Sequence, residues 1–381
     1  MQLKHCYNFH DFRELARRRL PAPIFNYIDG AADDETTYRR NTAAFQDCDL
    51  LPSVLRGVEN VDLSVTVMGQ RLEVPFYCSP TALQRLFHHQ GERAVAAAVD
   101  KFGTMFGVSS LGTVAIEEIA SQFSFPQVYQ FYFHKDRGLN RAMLERAKLA
   151  GVRVLMLTVD SITGGNRERD LRTGFAIPLK LTPAGLMQFA IKPKWAIDYL
   201  THAKFRLPQL ETHIDFSGGA SSIGDYFTKM LDPAMNWDDV AEMVKLWDGQ
   251  FCLKGVMTAA DAKRAAEIGC TGVVVSNHGG RQLDGSRSSF DQLAEVVDAA
   301  GDRLDVLMDG GVQRGSHVLK ALSVGAKAVG LGRYYLFPLG AAGQAGVESA
   351  LGLMRREVER AMRLMGCSSV SQLSRANLRF R

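Results

Sequence analysis

Short apolar runs rich in β-branched and aromatic residues recur along the chain, each closed by glycine or a polar residue and each followed by a stretch with helical spacing. They predict strands at Pro75–Pro80, Thr104–Ser110, Gln127–Phe133, Val152–Asp160, Phe251–Val256, Gly272–His278, Leu304–Gly311 and Ala328–Arg333. Between them, segments such as GERAVAAAVDKFG, RGLNRAMLERAKLAG, TAADAKRAAEIGC, SFDQLAEVVDAAG and RGSHVLKALSVGA read as helices, many with a capping residue in front and glycine behind. Strand and helix alternating eight times predicts an α/β fold, a (β/α)8 TIM barrel. The rival, an open doubly wound sheet, would carry a Gly-x-Gly-x-x-Gly turn after its first strand, and the sequence has none there.

Three segments stand outside the repeat. The leading 70 residues predict an N-terminal helical cap, with DFRELARRRL and APIFNYIDGAADDETTYRRN as its helices. About 90 residues separate the fourth strand from the fifth, far beyond an ordinary connection, so 161–250 is an insertion, a lid or a membrane-binding segment. AGVESALGLMRREVERAMRLMGC is long and amphipathic and is expected on the outside of the barrel. The whole chain, 1–381, is read as a single domain.

Composition narrows the classes. With 46% hydrophobic and 23% charged residues, the chain has the make-up of a globular protein, and a net charge of +4 is too small for a nucleic-acid partner. Six scattered cysteines form no CxxC pair, so neither a disulfide framework nor a structural metal is expected. The charged N-terminus lacks the apolar stretch of a signal peptide, and no run approaches a membrane span. A cytoplasmic location is expected, peripheral on the inner face of the cytoplasmic membrane if the insertion attaches there.

A barrel of this kind holds its site at the carboxyl ends of its strands. Collected there are Thr81 and Ala82, Ser109, Gln130 and Tyr132, Thr158 and Asp160, Lys254, Ser276, His278 and Arg281, Asp309 with Gly310 and Gly311, and Gly332 with Arg333. Lys254 sits on a strand that should be buried, where an ammonium is costly unless it meets an anion, a polar ligand or a neighbouring strand's carboxylate. Asp160 and His278 would lie close enough for the carboxylate to steady an imidazolium, which makes a general base. Arg281 supplies a planar fork for a carboxylate, and Arg167 in the loop after the fourth strand could be its second hand. The glycine turns DGGVQRG and GLGR are phosphate-site candidates, whereas the pair His88 and His89, without a third ligand, reads as surface.

These residues make the chain resemble the FMN-dependent α-hydroxy acid dehydrogenase and oxidase family. SNHGGRQLDG, PTA, YQFY, LTVD, LKGV, DGG and LGR occur in that order, and the resemblance runs from FNYIDGAADDE to the final helix. WDG before the fifth strand and AGQAGV before the last helix look most similar to the bacterial, quinone-linked L-lactate dehydrogenases. The resemblance implies FMN at the barrel mouth, with Thr81, Ala82, Ser109, Gln130, Thr158 and Lys254 around the isoalloxazine and Ser276 beside them. It implies Asp309, Gly310, Gly311, Gly332 and Arg333 at the ribityl chain and phosphate, His278 as base with Asp160 as partner, Arg281 and Arg167 as carboxylate clamp, and Tyr27 and Tyr132 on the substrate. A homo-oligomer, commonly a tetramer, is also implied.

The chain departs from the family where DGGVQRG puts Gln313 in place of an arginine, which would move the phosphate contact to Arg314. The loop SITGGN is short-chained, and Leu111 stands where glycolate oxidase-like members are aromatic. Within the insertion, Arg172, Lys180, Lys192, Lys194, Lys204 and Arg206 face one acid, Asp198, among Leu179, Leu186, Met187, Phe189, Ile191, Trp195, Tyr199 and Phe205. That mixture suits a segment lying in an anionic membrane surface. The activity expected is oxidation of an L-2-hydroxy acid, lactate first, with electrons passing to quinone. The alternatives are a soluble oxidase reducing oxygen and a non-catalytic FMN-binding protein.

Overall fold

The computed structural model describes residues 2–175, 183–202, 205–211 and 229–381, without the side chains of 183–186. Leu179, Lys180, Lys204 and the Leu186 side chain fall outside the described residues. Eight parallel strands close into a barrel in chain order: β1 (Phe76–Thr81), β2 (Phe106–Ser109), β3 (Gln127–Phe131), β4 (Val154–Thr158), β5 (Gln250–Val256), β6 (Gly272–Val275), β7 (Asp305–Asp309) and β8 (Ala328–Leu331). Nearly continuous apolar runs such as Gly272–Val275 fit strands buried on both faces, against the outer helices and against the barrel interior.

The interior is filled by Tyr77, Val128, Val154, Met156, Cys252, Val274, Leu307 and Ala328. A two-stranded ribbon, Val65–Val67 with Gln70–Leu72, stoppers the amino end: Met68 packs into the interior cluster and its backbone N–H donates to Asp305 at 2.5 Å. The carboxyl end stays open.

Several strands stop short of the expected ends. Asp160, His278 and Arg333 lie beyond β4, β6 and β8. At His278 the cause is local: Asn277 Oδ1 accepts from Gly280 N–H, and Ser276 Oγ accepts from His278 N–H, which curls the chain into a single 3-10 turn.

The cap is three helices where two were expected: α1 (Phe9–Arg19), α2 (Ala22–Asp29) and α3 (Thr36–Ala43). The break after Asp29 follows from pairing. The buried Asp29 carboxylate takes Arg13 at 2.5 and 2.7 Å and Arg169 at 2.8 Å, and the Gly30 carbonyl takes two arginines of the barrel mouth. From the insertion come α4 (Pro183–Ala190) and α5 (Pro193–Thr201). The last helix, α6 (Arg333–Met365), starts directly after β8, breaks at Ala342 and Gly343, and packs on α1 outside the barrel as expected. No described helix is long and apolar enough to cross a membrane, and all six cysteines are buried and free.

Candidate active site

At the open end the strands carry a ring of polar side chains, joined through two hydrogen-bonded arcs. Ser109 Oγ donates to Gln130 Oε1 at 2.8 Å, and Gln130 Nε2 donates to Thr158 Oγ1 at 2.8 Å, linking β2, β3 and β4. Lys254 Nζ on β5 donates to Ser276 Oγ at 2.9 Å and lies 3.2 Å from Asp309 Oδ2; Ser276 Oγ donates to Asp309 Oδ1 at 2.5 Å. Ser79 on β1 closes toward Asp309 at 3.4 Å. The internal salt bridge considered for Lys254 is therefore present, with a carboxylate from β7, one strand beyond its neighbour β6. Burial works against the ammonium, but Asp309 and Asp160 outweigh it and hold its pKa above the ordinary lysine value.

Above the ring opens a cleft of about 1200 Å³ including its mouth. Thr81, Ala82, Tyr27, Tyr132, Arg167, Lys254, His278, Arg281, Asp309, Gly310, Gly311, Gly332 and Arg333 all line it. Ser109, Gln130, Thr158 and Ser276 lie beneath, buried in the ring. Thr81 spends its hydroxyl on Tyr335 at 2.6 Å.

His278 Nδ1 sits 2.9 Å from Asp160 Oδ1 and 3.2 Å from Ser161 Oγ, which itself donates to Asp160. Burial opposes the Asp160 carboxylate, yet His278, Lys254 and Ser161 together keep its pKa below the usual range. Gly255 makes the arrangement possible. At φ +107 in a bulge of β5, it passes where a Cβ would stand 2.6 Å from the Asp160 Cβ.

Tyr27 stacks on Phe175 at 4.4 Å, and the Arg281 guanidinium stands 4.8 Å from its ring centre. Arg281 also donates to the carbonyls of Tyr27 and Gly30 at 2.7 and 2.9 Å. Its pKa is pushed down to about 10, by burial first and then by the charge of Arg167. Arg167 lies 3.7 Å from Asp170 and faces the same Tyr27 ring. Two cations forced together over one cleft are relieved by an anion between them. Burial raises the Tyr132 hydroxyl, which therefore stays protonated.

The opposite side of the cleft is built from backbone. A Cβ on Gly311, at φ +74, would meet the Asn41 carbonyl oxygen of α3 at 2.2 Å, and one on Gly330 would meet Ser79 Oγ at 2.3 Å. The first turn of α6 begins at Gly332 with no side-chain cap, which leaves its N–H groups to an anion. Arg333 commits three of its five donors to the carbonyls of Ile28, Gly279 and Gly30. It is as much a stitch between cap and barrel as a ligand group.

Arg314 is not brought to the cleft. It begins the seventh outer helix (Gly315–Val324) facing outward and pairs with Glu357 of α6 at 2.8 Å, a carboxylate that also caps Gly315 N–H. Gln313 lines the cleft instead, donating to Thr42 Oγ1 at 3.3 Å.

Several positioning residues escaped the sequence reading. Gln282 staples the loop after β4 to the histidine turn, donating to the carbonyls of Asp160 and Thr163. Asn41 and Asn277 exchange amide hydrogen bonds at 2.7 Å, and Asp284 accepts from the first N–H groups of α3. Gln282 and Asp284 lie within SNHGGRQLDG itself, which was the available signal.

A polar ring around a buried lysine, a glycine-lined anion cradle and a histidine–aspartate pair at the mouth of a TIM barrel define an enzyme site with room for an anionic cofactor beside a general base. Residues 16–380 match the FMN-dependent dehydrogenase family, and the chain belongs to it. It is 40% identical to an L-lactate oxidase of a Nostoc species over 370 residues, 96% of each chain, and 39% identical to an L-lactate dehydrogenase of Pseudomonas syringae over 95% of this chain and 96% of that one. Among solved structures, a monotopic membrane protein, (S)-mandelate dehydrogenase, superposes with a TM-score of 0.93 at 32% identity, covering 99% of this chain and 100% of that one. FMN is the cofactor of this enzyme, and the residues present fit it: an uncapped helix start and close-packed glycines for a phosphate, a polar ring with a charged lysine for a flat, hydrogen-bonding ring.

Proposed function

We propose that the chain oxidises an L-2-hydroxy acid, L-lactate first, to the 2-oxo acid, and that the electrons pass to quinone or another membrane acceptor. The observation that carries the reading is the pairing of His278 with Asp160 at 2.9 Å in a cleft that two mutually repelling arginines also line. FMN, when bound, supplies the two-electron sink. Arg281 and Arg167 hold the substrate carboxylate, Tyr27 and Tyr132 steady its polar groups, and this fixes the hydroxyl toward His278. His278 takes the hydroxyl proton, and the Asp160 carboxylate stabilises the imidazolium that results. Lys254 offers a fixed positive charge for negative charge that develops on the cofactor. The backbone N–H groups of the Gly311 turn and the start of α6, with Gln313 in place of an arginine, hold the phosphate. Adding a panel of L- and D-2-hydroxy acids without oxygen and following the flavin absorbance tests this: bleaching by L-acids is expected, and no bleaching by any acid overturns it.

Membrane contact is supported by exposed Met187 on α4, Ile191 just after it, and Ile197 and Leu200 on α5. The basic residues contribute less than their number promises. Arg172 pairs with Glu168, Arg206 with Glu211, and Lys192 is spent on the carbonyls of Arg17 and Arg18. The apolar face is therefore the main attachment; Ile197→Glu with Leu200→Glu should release the protein from sedimenting vesicles. A homotetramer is the assembly proposed, checked by light scattering. The Nostoc relative supports a second reading, with oxygen as acceptor. Hydrogen peroxide formed in air faster than a quinone analogue is reduced would favour it.

A further inference from the structure

A second cavity, about 730 Å³ with its mouth, lies between α5, the turn after β1 and the break in α6. Phe87 lines both this cavity and the main cleft, and its ring lies 6.2 Å from that of Tyr27. One buried aromatic side chain is thus common wall to the two.

Trp195 and Tyr199 of α5 stack at 5.1 Å with an 11° tilt, and Trp195 is pinned by its indole N–H donating to the Leu86 carbonyl at 2.8 Å. Arg85 and Lys194 line the cavity with them, and Asp198 is the one carboxylate among the described lining residues. His88 and His89, expected at the surface, are partly buried here and extend into a stack with His202. His88 is pushed down to about 4, by burial and then by His89, and His89 is lowered by burial and by His202. Both are neutral at pH 7, and a neutral imidazole can pass a proton. The exposed apolar side chains Ile197 and Leu200 belong to α5, which lines the opening, and α4 packs beside it through Phe189 stacked on Trp195 at 5.2 Å.

Aromatic faces for a planar ring, cations for oxygens that gain negative charge, neutral imidazoles for protons and an apolar approach describe one ligand chemistry. We propose that this cavity seats the headgroup of the quinone that accepts the electrons, its apolar tail lying along α4 and α5. The proposal rests on the quinone-linked reading above and gives it a place. The balance is complete: the hydroxy acid loses two electrons and two protons, one from its Cα and one from its hydroxyl, and the quinone takes up both pairs as it becomes the quinol. No other oxidant is required.

The test uses the FMN-loaded enzyme and a short-tailed ubiquinone analogue. Of the three tryptophans, Trp195 alone lines the cavity. The analogue should quench its emission saturably, and Trp195→Phe should remove that quenching. In Lys194→Glu, an exposed site whose change leaves the fold intact, the KM for the analogue should rise about tenfold, equivalent to about 1.4 kcal/mol. Anaerobic bleaching by L-lactate and reoxidation by ferricyanide should be unchanged in the same variant. Saturable quenching with an unaltered KM would mean an amphiphile site that is not the acceptor's, and absent quenching would mean no site; either overturns the proposal. Failure of bleaching by every hydroxy acid would instead bring down the functional reading, while the quenching titration still reports on the cavity.

Discussion

The two ends of the barrel are made from the same eight strands, yet they differ in every respect that matters for function. At the amino end Met68 and its ribbon close the interior with apolar packing. At the carboxyl end Ser109, Gln130, Thr158, Lys254, Ser276 and Asp309 replace that packing with hydrogen bonds, and the chain beyond them bends to leave a cleft. Each strand therefore carries stability at its start and chemistry at its finish. Burial serves the first through area removed from water and the second by strengthening each electrostatic contact.

If this division holds, changes at one end should leave the other's property intact. The largest effect is expected from His278→Ala, which should lower kcat/KM by about 10²–10⁴-fold, the contribution of a general base, measured on the folded fraction. A variant that kept full turnover would sink the mechanism. Next, Met68→Ala should cost about 2–5 kcal/mol of stability through the cavity it leaves, read by denaturant unfolding, while the folded fraction keeps its kcat. Arg281→Lys should follow, because an ammonium cannot serve the Tyr27 and Gly30 carbonyls and a carboxylate in one plane. Its KM for the hydroxy acid should rise more than its kcat falls in steady-state kinetics.

Smaller still is a pH effect at Asp160. Its folded pKa is depressed, so its stabilising contribution is present above the ordinary carboxylate value and is lost as pH falls through the lowered one. The stability gap between wild type and Asp160→Asn should therefore be wide near pH 6 and shrink under acid, as measured by chemical denaturation across that range. The smallest effect is expected at Arg314. Arg314→Ala should leave FMN affinity untouched, since its partner is Glu357, whereas Gln313→Arg should tighten FMN in an equilibrium dialysis of the cofactor.

The barrel was legible because burial on both faces writes continuous apolar runs, and helices write their own period between glycine stops. The rim was legible as a list, since strand ends point to one mouth once the barrel is accepted. The list paired Asp160 with His278 but lacked the contacts made through the cap and the outer helices. Arg13, Asp29 and Arg169 break the cap helix, yet nothing local in APIFNYIDGAADDETTYRRN foretells an ion pair made across 140 positions of chain. Arg314 failed for the same reason: a residue at a helix start points outward or inward according to which neighbour claims it, and here Glu357 does. Gly255 looked like an ordinary strand residue until Asp160 was found lying against it.

By itself, then, the sequence determined the order of strands and helices, the identity of the chemical groups at the strand ends and, through its motifs, the cofactor and class of reaction. The first two follow from local periodicity and residue type, and the last from the family resemblance that the motifs carry. Only the tertiary structure decided the other meetings: that Lys254 is shared with Asp309, that Arg333 stitches the cap down, and that Phe87 separates two cavities. Contacts between residues distant in the chain depend on how whole elements pack, and packing is a property of volume and burial that no short stretch of sequence contains.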